Sequence, residues 1–258
     1  ATVELRGTVV QQAQETAEAA LRVIVRNPDG KTAGTFSRDI SLKANQNTFD
    51  WQFSVQQPTL WSPDSPALYQ LTVQVLDKAS SQVLDEIVQP LAFRWFRFDP
   101  DEGFFLNGQA LKLMGTNRHQ DFPGKANALS NAEHWRDIKM IKDMGANFFR
   151  TAHYPQDPAV LQACDRLGLL VTMEIPLDHE ITDSLAFYEN SKAMMREMIR
   201  QYHNHPSIII WAYMNEMFLG RNLERDSAWI GKIVAFAREL EQLTREEDPM
   251  RYTMIPNH

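Results

Sequence analysis

The sequence is short of several things, and each shortage excludes something. It holds one cysteine in 258 residues, Cys164, so no internal disulfide can form and any redox compartment is compatible. Glycine is sparse at 11 residues, and no GxGxxG or GxxxxGK[ST] follows a candidate strand, which disfavours a nucleotide-binding sheet. No apolar run reaches the roughly 18 residues of a membrane span. Positive charge is the minority sign: 26 Lys+Arg against 33 Asp+Glu leave a formal charge of -7. Such a surface argues against nucleic acid or an anionic membrane as the main partner. The chain also lacks an initiator Met and the charged-then-apolar start of a signal peptide, so its beginning is expected to be an internal cut. What remains, 43% hydrophobic and 23% charged, is the composition of a globular protein with a sizeable core.

The first hundred residues read as strands. Val3–Val10, Ala20–Arg26, Thr48–Val55 and Tyr69–Leu76 are rich in β-branched and aromatic residues. Leu21, Val23 and Val25 alternate with Arg22, Ile24 and Arg26, the period of a half-buried strand. Asn27-Pro28-Asp29-Gly30 supplies turn chemistry. This spacing predicts an antiparallel sandwich with nothing catalytic in it. Trp61 is expected to pack rather than to serve as a sugar platform.

After Phe98 the texture changes to strand, loop, helix. Ala110–Asn117 reads as the first strand. Ser130 with Glu133 forms a capping box for a helix whose buried face is expected to hold Trp135, Ile138, Ile141 and Met144. Asn147–Ala152 follows, then a helix starting at Asp157-Pro158, lined by Val160, Leu161, Cys164 and Leu167 and closed by Gly168. Cys164 is therefore expected in the core. Leu169–Ile175 is the third strand, and the helix near Ala186–His203 carries a methionine stripe read as core. Ser207–Met214 is the fourth strand, apolar almost throughout, as suits a parallel strand covered on both faces. A fourth helix spans about Leu223–Leu243, with Ile230, Ile233, Val234, Ala237 and Leu240 inside, and Tyr252–Pro256 is a fifth strand. Four βα units and a strand fit an open doubly wound sheet or part of a (β/α)8 barrel. A complete barrel needs about 250 residues, so the barrel reading implies an absent second half.

In either architecture function gathers at the C-terminal ends of the strands. Those ends deliver Asn117, Arg118, His119 and Asp121, then Arg150 and His153, then Glu174 with Asp178, His179 and Glu180, and finally Asn215-Glu216. Glu216 stands out. It follows an apolar run from Ile208 to Met214, and a carboxyl there is expected to be partly desolvated, which suits a general acid. Asn215 beside it can hydrogen-bond a substrate hydroxyl. His203 and His205 precede the fourth strand on the opposite rim and read as loop or capping residues, not a metal site. Asp178, His179 and Glu180 together with Glu216 could instead serve a metal-dependent hydrolase.

A larger pattern is now visible. Trp61-Ser62-Pro63, Pro66-Ala67-Leu68-Tyr69, Phe93-Arg94 and Gly103-Phe104-Phe105-Leu106-Asn107-Gly108 are followed in order by Gly115-Thr116-Asn117-Arg118-His119-Gln120-Asp121 and Arg150-Thr151-Ala152-His153-Tyr154-Pro155. Cys164-Asp165-Arg166-Leu167-Gly168, Glu174-Ile175-Pro176, Asn204-His205-Pro206-Ser207 and Trp211-Ala212-Tyr213-Met214-Asn215-Glu216 complete it. The series resembles glycoside hydrolase family 2 over nearly the whole chain. The resemblance implies an immunoglobulin-like β-sandwich over 1–98, followed over 99–258 by about the first five strands of a (β/α)8 TIM barrel, truncated. It implies a retaining β-glycoside hydrolase, of β-galactosidase type, acting on a carbohydrate substrate, with β-glucuronidase or another family 2 specificity as the alternative. In the family's pattern Glu216 is the general acid/base and Asn215 a sugar-hydroxyl ligand. His119 and His153 match positions that line the sugar pocket, and Arg150 and Glu174 match barrel-end residues that organise it.

Departures from the pattern shape the remaining expectations. The family's nucleophile, a Glu at the end of the seventh strand, is expected beyond residue 258, so this chain alone is expected to be inactive. The galactosidase metal motif Glu-Thr-His-Gly is not matched by Asp178-His179-Glu180-Ile181, so no metal or other cofactor is expected. The complete enzyme is expected to be an oligomer. The other reading of the piece by itself is a non-catalytic carbohydrate-binding or structural fragment. A half barrel would leave apolar strand edges open, so the isolated chain is expected to associate.

Overall fold

The computed structural model describes residues 1–219 and 227–256. The chain divides into two compact units, one formed by residues 1–61 and 67–95, the other by 62–66 and the residues from 96 onward.

The first unit is a β-sandwich. β1 (Thr2–Gln11) pairs antiparallel with β4 (Asn45–Ser54) as a two-stranded sheet. β2 (Ala17–Arg26), β3 (Thr32–Leu42), β5 (Tyr69–Asp77) and β6 (Val83–Leu91) form the second, in the order β3-β2-β5-β6. The alternation expected of Leu21, Val23 and Val25 is borne out: all three are fully buried. Val3 and Phe53 of the smaller sheet pack with Val23, Val25, Leu71 and Val73 of the larger, so each sheet buries its apolar face on the other. Trp61 is wholly buried, as a packing residue should be. Strands β3 and β6 are absent from the sequence reading. β6 is the edge strand, and eight of its nine residues are exposed, so no alternation marks it.

The second unit opens with a small antiparallel meander, β7 (Phe96–Asp99), β8 (Gly103–Leu106) and β9 (Gln109–Ala110). The acidic stretch Asp99-Pro100-Asp101-Glu102-Gly103 is the turn between its first two strands, where the Asp99 carboxylate accepts the backbone N–H groups of Asp101 and Glu102.

Five parallel strands follow in sequential order: β10 (Gly115–Arg118), β11 (Phe148–Thr151), β12 (Leu170–Glu174), β13 (Ile208–Ala212) and β14 (Tyr252–Met254). Between them lie α1 (Asn131–Asp143), α2 (Pro158–Leu167), α3 (Leu185–Tyr202) and α4 (Ser227–Glu247). The order decides between the two architectures left open. A doubly wound sheet reverses its strand order at a switch point, whereas a barrel adds each new strand on the same side. Here the order never reverses. The fold is an immunoglobulin-like sandwich followed by the first part of a TIM barrel, whose sheet stays open among the described residues.

Local chemistry explains the elements. The Ser130 hydroxyl and the Glu133 carboxylate satisfy each other's backbone N–H groups at the start of α1. Asp157 caps α2 with Pro158 in its first turn, and Gly168 ends it in the left-handed conformation at φ 76°. A Cβ on Gly168 would lie 2.2 Å from the Pro63 carbonyl oxygen, so only glycine fits there. A Cβ on Gly115 would lie 1.9 Å from the Phe148 carbonyl oxygen, which is how closely β10 approaches β11. Ile138, Phe149, Leu161, Cys164, Val171, Met173, Met195 and Trp211 form the core under the helices.

Two expected core positions are corrected. Met144 is 64% exposed, because α1 ends at Asp143 and Met144 is its C-cap. Val234 is 39% exposed, the buried face of α4 running through Ile233, Phe236, Leu240 and Leu243. The first four residues expected for that helix, 223–226, lie outside the described residues. No helix among the described residues is long and apolar enough to cross a membrane.

Candidate active site

The period of two along a strand selects the site residues. Phe149 of β11 and Val171 and Met173 of β12 face the helix-covered core. Arg150 and Glu174, next in line, therefore take the other face of the sheet, at or near its C-terminal edge. Register makes them neighbours, since Arg150 pairs with Thr172, two residues before Glu174.

Arg150 is the hub. Its guanidinium donates to Glu174 Oε2 at 3.0 Å and to Asn215 Oδ1 at 2.6 Å. The His153 ring contacts Glu174 Oε1 through Nδ1 at 2.8 Å and the Arg150 guanidinium at 3.2 Å. The guanidinium can only donate, and the shorter contact assigns the Nδ1 proton to Glu174. His119, from the segment after β10, stacks edge-on against His153 with ring centroids 4.9 Å apart. Glu174 is 1% exposed. Burial raises its carboxyl above the ordinary carboxylate range, against the pull of Arg150 and His153. Asn215 is buried too, and its Nδ2 donates to Asp178 Oδ1 at 2.7 Å.

Beyond Asn215 the contacts continue to Glu216. The chain after β12 runs beside the end of β13: Asn215 N donates to the Leu177 carbonyl and His179 N to the Asn215 carbonyl. Asp178 thus faces Asn215 in a parallel bridge. His179 and Glu216 both adopt left-handed backbone, at φ 63° and 51°, a conformation non-glycine residues rarely take. Their side chains meet, with His179 Nε2 3.0 Å from Glu216 Oε2, and His179 Nδ1 lies 3.1 Å from Asp178 Oδ2.

The six residues that the resemblance picks out, His119, His153, Arg150, Glu174, Asn215 and Glu216, thus share one rim and one line of contacts, in which Asp178 and His179 join Asn215 to Glu216. Of the Glu174 and Glu216 carboxyls, that of Glu174 is the more deeply buried. The Glu216 side chain keeps 36% exposure at the open mouth of the rim, and the buried carboxyl is that of Glu174. Ile208, Trp211, Tyr213 and Met214 of the apolar run before Glu216 lie in the core under the helices.

Other candidates separate from the rim. Arg118 turns outward to α1 and pairs with Asp137 at 2.7 Å beside the buried His134. His205 pairs with the buried Asp165 at 2.6 Å, and His203 caps α3, both before β13 as structural residues. The potential ion ligands that converge are those of Asp178, His179 and Glu216, within 4.8 Å of one another; Glu180 is not among them. Asp178 and His179 entered the sequence reading as residues of this rim and, with Glu180 and Glu216, as metal candidates. Their contact with Glu216 is made by the pairing of two separate loops.

Parallel strands added in sequential order, with carboxyl, imidazole, amide and guanidinium groups converging at their C-terminal ends, are the arrangement of a TIM-barrel active-site rim. Residues 100–251 match the family described as glycosyl hydrolases family 2, TIM barrel domain, and residues 1–94 match glycosyl hydrolases family 2. The chain belongs to glycosyl hydrolase family 2. It is 42% identical over 215 residues to a putative beta-glucuronidase of Formosa agariphila, covering 83% of this chain and 26% of that protein. It is 34% identical to a beta-galactosidase of Thermoanaerobacter pseudethanolicus, covering 81% and 28%. Among solved structures, Bacteroides uniformis beta-glucuronidase 2 covalently bound to cyclophellitol-6-carboxylate aziridine superposes with a TM-score of 0.95 at 39% identity, covering 100% of this chain and 32% of that one. The chain therefore spans about a quarter to a third of the length of these relatives.

Proposed function

We propose that the protein carrying this chain hydrolyses terminal β-linked sugars by double displacement, with Glu216 as the acid/base. The observation that carries this reading is the location of Glu216, at the open mouth of the rim directly after a buried Asn215 that Arg150 and Asp178 hold from both sides. Glu216 protonates the glycosidic oxygen as the aglycone leaves, then takes a proton from the water that releases the glycosyl intermediate. A side-chain amide offers two N–H groups and two oxygen lone pairs, so Asn215 keeps one of each for a sugar hydroxyl. His153, with Nδ1 on Glu174, turns Nε2 into an acceptor for another. Arg150 and Glu174 hold this wall in place.

The nucleophile lies outside residues 1–258 in this reading. A retaining pair needs its carboxyl groups about 5–5.5 Å apart. Asp178 comes within 4.8 Å of Glu216, but its two oxygens already face Asn215 and His179. It serves better as an anchor. The isolated 258 residues are accordingly inactive.

For the sugar, a β-glucuronide is the reading we favour. The relative from Formosa agariphila bears that name, and the Bacteroides uniformis enzyme was captured on an aziridine carrying a carboxylate. The expected β-galactoside specificity is supported by the Thermoanaerobacter relative. Nitrophenyl β-glucuronide and β-galactoside, offered in parallel to the complete protein, separate the two. Trapping with a 2-fluoro glycosyl fluoride of the preferred sugar, followed by peptide mapping, then locates the nucleophile. Labelled Asp178 would overturn its placement, and turnover of neither glycoside would overturn the activity.

A further inference from the structure

The rim holds a residue that the glycosidase reading leaves without a part. His179 sits on the loop after β12, its side chain is 46% exposed, and it fills no core. Nevertheless its backbone takes the left-handed region, its main-chain N–H is bound to the Asn215 carbonyl, and its ring lies between two carboxyl groups. A residue needed only to turn the loop would be better as glycine or asparagine. The cross-loop hydrogen bonds hold a histidine there and aim its ring at Glu216.

The geometry points to His179 as a positioning residue for Glu216, with Asp178 as the anchor that orients it. This inference rests on Glu216 being the acid/base. Each contact in the chain has a defined consequence. Asp178 Oδ1 accepts from Asn215 Nδ2, and Asp178 Oδ2 faces His179 Nδ1 at 3.1 Å. That second contact fixes the ring plane and sends Nε2 outward. Nε2 then meets Glu216 Oε2 at 3.0 Å. Glutamate has three side-chain torsions, and at 36% side-chain exposure this carboxylate gains orientation from the polar groups it meets, His179 among them. The His179 contact restrains one carboxylate oxygen and with it the direction in which the carboxyl group points. The same Asp178 carboxylate holds Asn215, so the sugar-hydroxyl ligand and the acid/base are oriented from one anchor.

A positioning residue of this kind makes a specific demand on kinetics. Its loss should matter most where protonation of the leaving group limits the rate. The test uses the complete protein, with a methyl β-glycoside as the poor leaving group and the 2,4-dinitrophenyl β-glycoside as the good one. In His179→Ala, kcat for the methyl glycoside should fall about 10- to 100-fold, a loss of the size misorientation produces. KM should stay within about threefold, and the first step on the dinitrophenyl substrate should be nearly unchanged. His179→Gln, whose amide can still reach Glu216, should recover part of the loss. Far-UV circular dichroism and the melting midpoint should match wild type, since the side chain is exposed.

Equal losses on both substrates, or no loss on either, would overturn the inference. So would wild-type activity abolished by chelators and restored by Mg²⁺ or Mn²⁺, because His179 would then serve an ion. Glu216→Gln, measured alongside, separates the two levels. If that variant still turns over the methyl glycoside at the wild-type rate, the acid/base reading itself has failed. If it loses activity while His179→Ala does not, only the role of His179 has failed.

Discussion

Replacing Arg150 with Met removes the hub of the rim and leaves Glu174 stranded. The carboxyl is 1% exposed and would retain only His153 as a partner. Breaking a buried pair by removing one member costs about 3–5 kcal/mol, since a charge remains without compensation. For a unit of this size that lowers the melting midpoint by roughly 6–20 °C. The loss must also depend on pH, and its sign follows from linkage. Burial already raises the Glu174 carboxyl above its ordinary value of 4.5, and Arg150 is among the groups opposing that rise. Without Arg150 the folded-state value climbs further. A carboxyl raised in the folded state binds its proton more tightly there, so its destabilisation is absent below the unfolded value and grows as pH rises through the folded one. Melting curves from pH 5 to pH 8 should therefore show the gap between Arg150→Met and wild type widening with pH. Arg150→Met/Glu174→Gln should recover most of the gap and flatten its pH dependence. A gap that is constant with pH, or a double variant as unstable as the single one, would refute this reasoning.

Three further outcomes are expected. Gly168→Ala should lower the melting midpoint by several degrees, because φ 76° costs a side chain about 1 kcal/mol and the new Cβ meets the Pro63 carbonyl; an unchanged midpoint would contradict the close approach. Cys164 is fully buried and desolvation raises its thiol well above the ordinary value, so Ellman's reagent should label it only after denaturation. Asp248 is buried, which opposes its charge, yet Arg251 at 2.6 Å and the Trp211 indole at 2.8 Å hold its carboxyl below 3.8. Its stabilisation is present above that value and lost as pH falls below it. Asp248→Asn should thus weaken the protein at neutral pH and narrow its gap to wild type in acid, as melting between pH 2 and pH 7 would show.

How much of this was legible beforehand depended on which physical signal each element carries. Strand β2 was readable because a sandwich buries every second residue, and the helix starts at Ser130 and Asp157 were readable because caps are local chemistry. Strand β6 was not, since an exposed edge imposes no pattern. The meander β7–β9 was hidden by its shortness. In the site, the rule that parallel strands deliver function at their C-terminal ends sufficed to collect Arg150, His153, Glu174, Asn215 and Glu216. The roles of Asp178 and His179 depend on a bridge between two loops 37 residues apart, a long-range pairing with no local signature. The approach of His179 to Glu216 was hidden for the same reason, since neighbours in sequence supply only the apolar run.

The central claim is that Glu216 moves the proton in glycoside cleavage, and azide tests it most directly. The Glu216→Ala variant of the complete protein, given a 2,4-dinitrophenyl β-glycoside, should form its glycosyl intermediate without help and then stall for want of a base. Added azide, which needs no base, should raise the steady-state rate and release a β-glycosyl azide, identifiable by NMR. A Glu216→Ala variant that turns over at the wild-type rate, or one that azide neither accelerates nor diverts to a β-azide product, would contradict the claim.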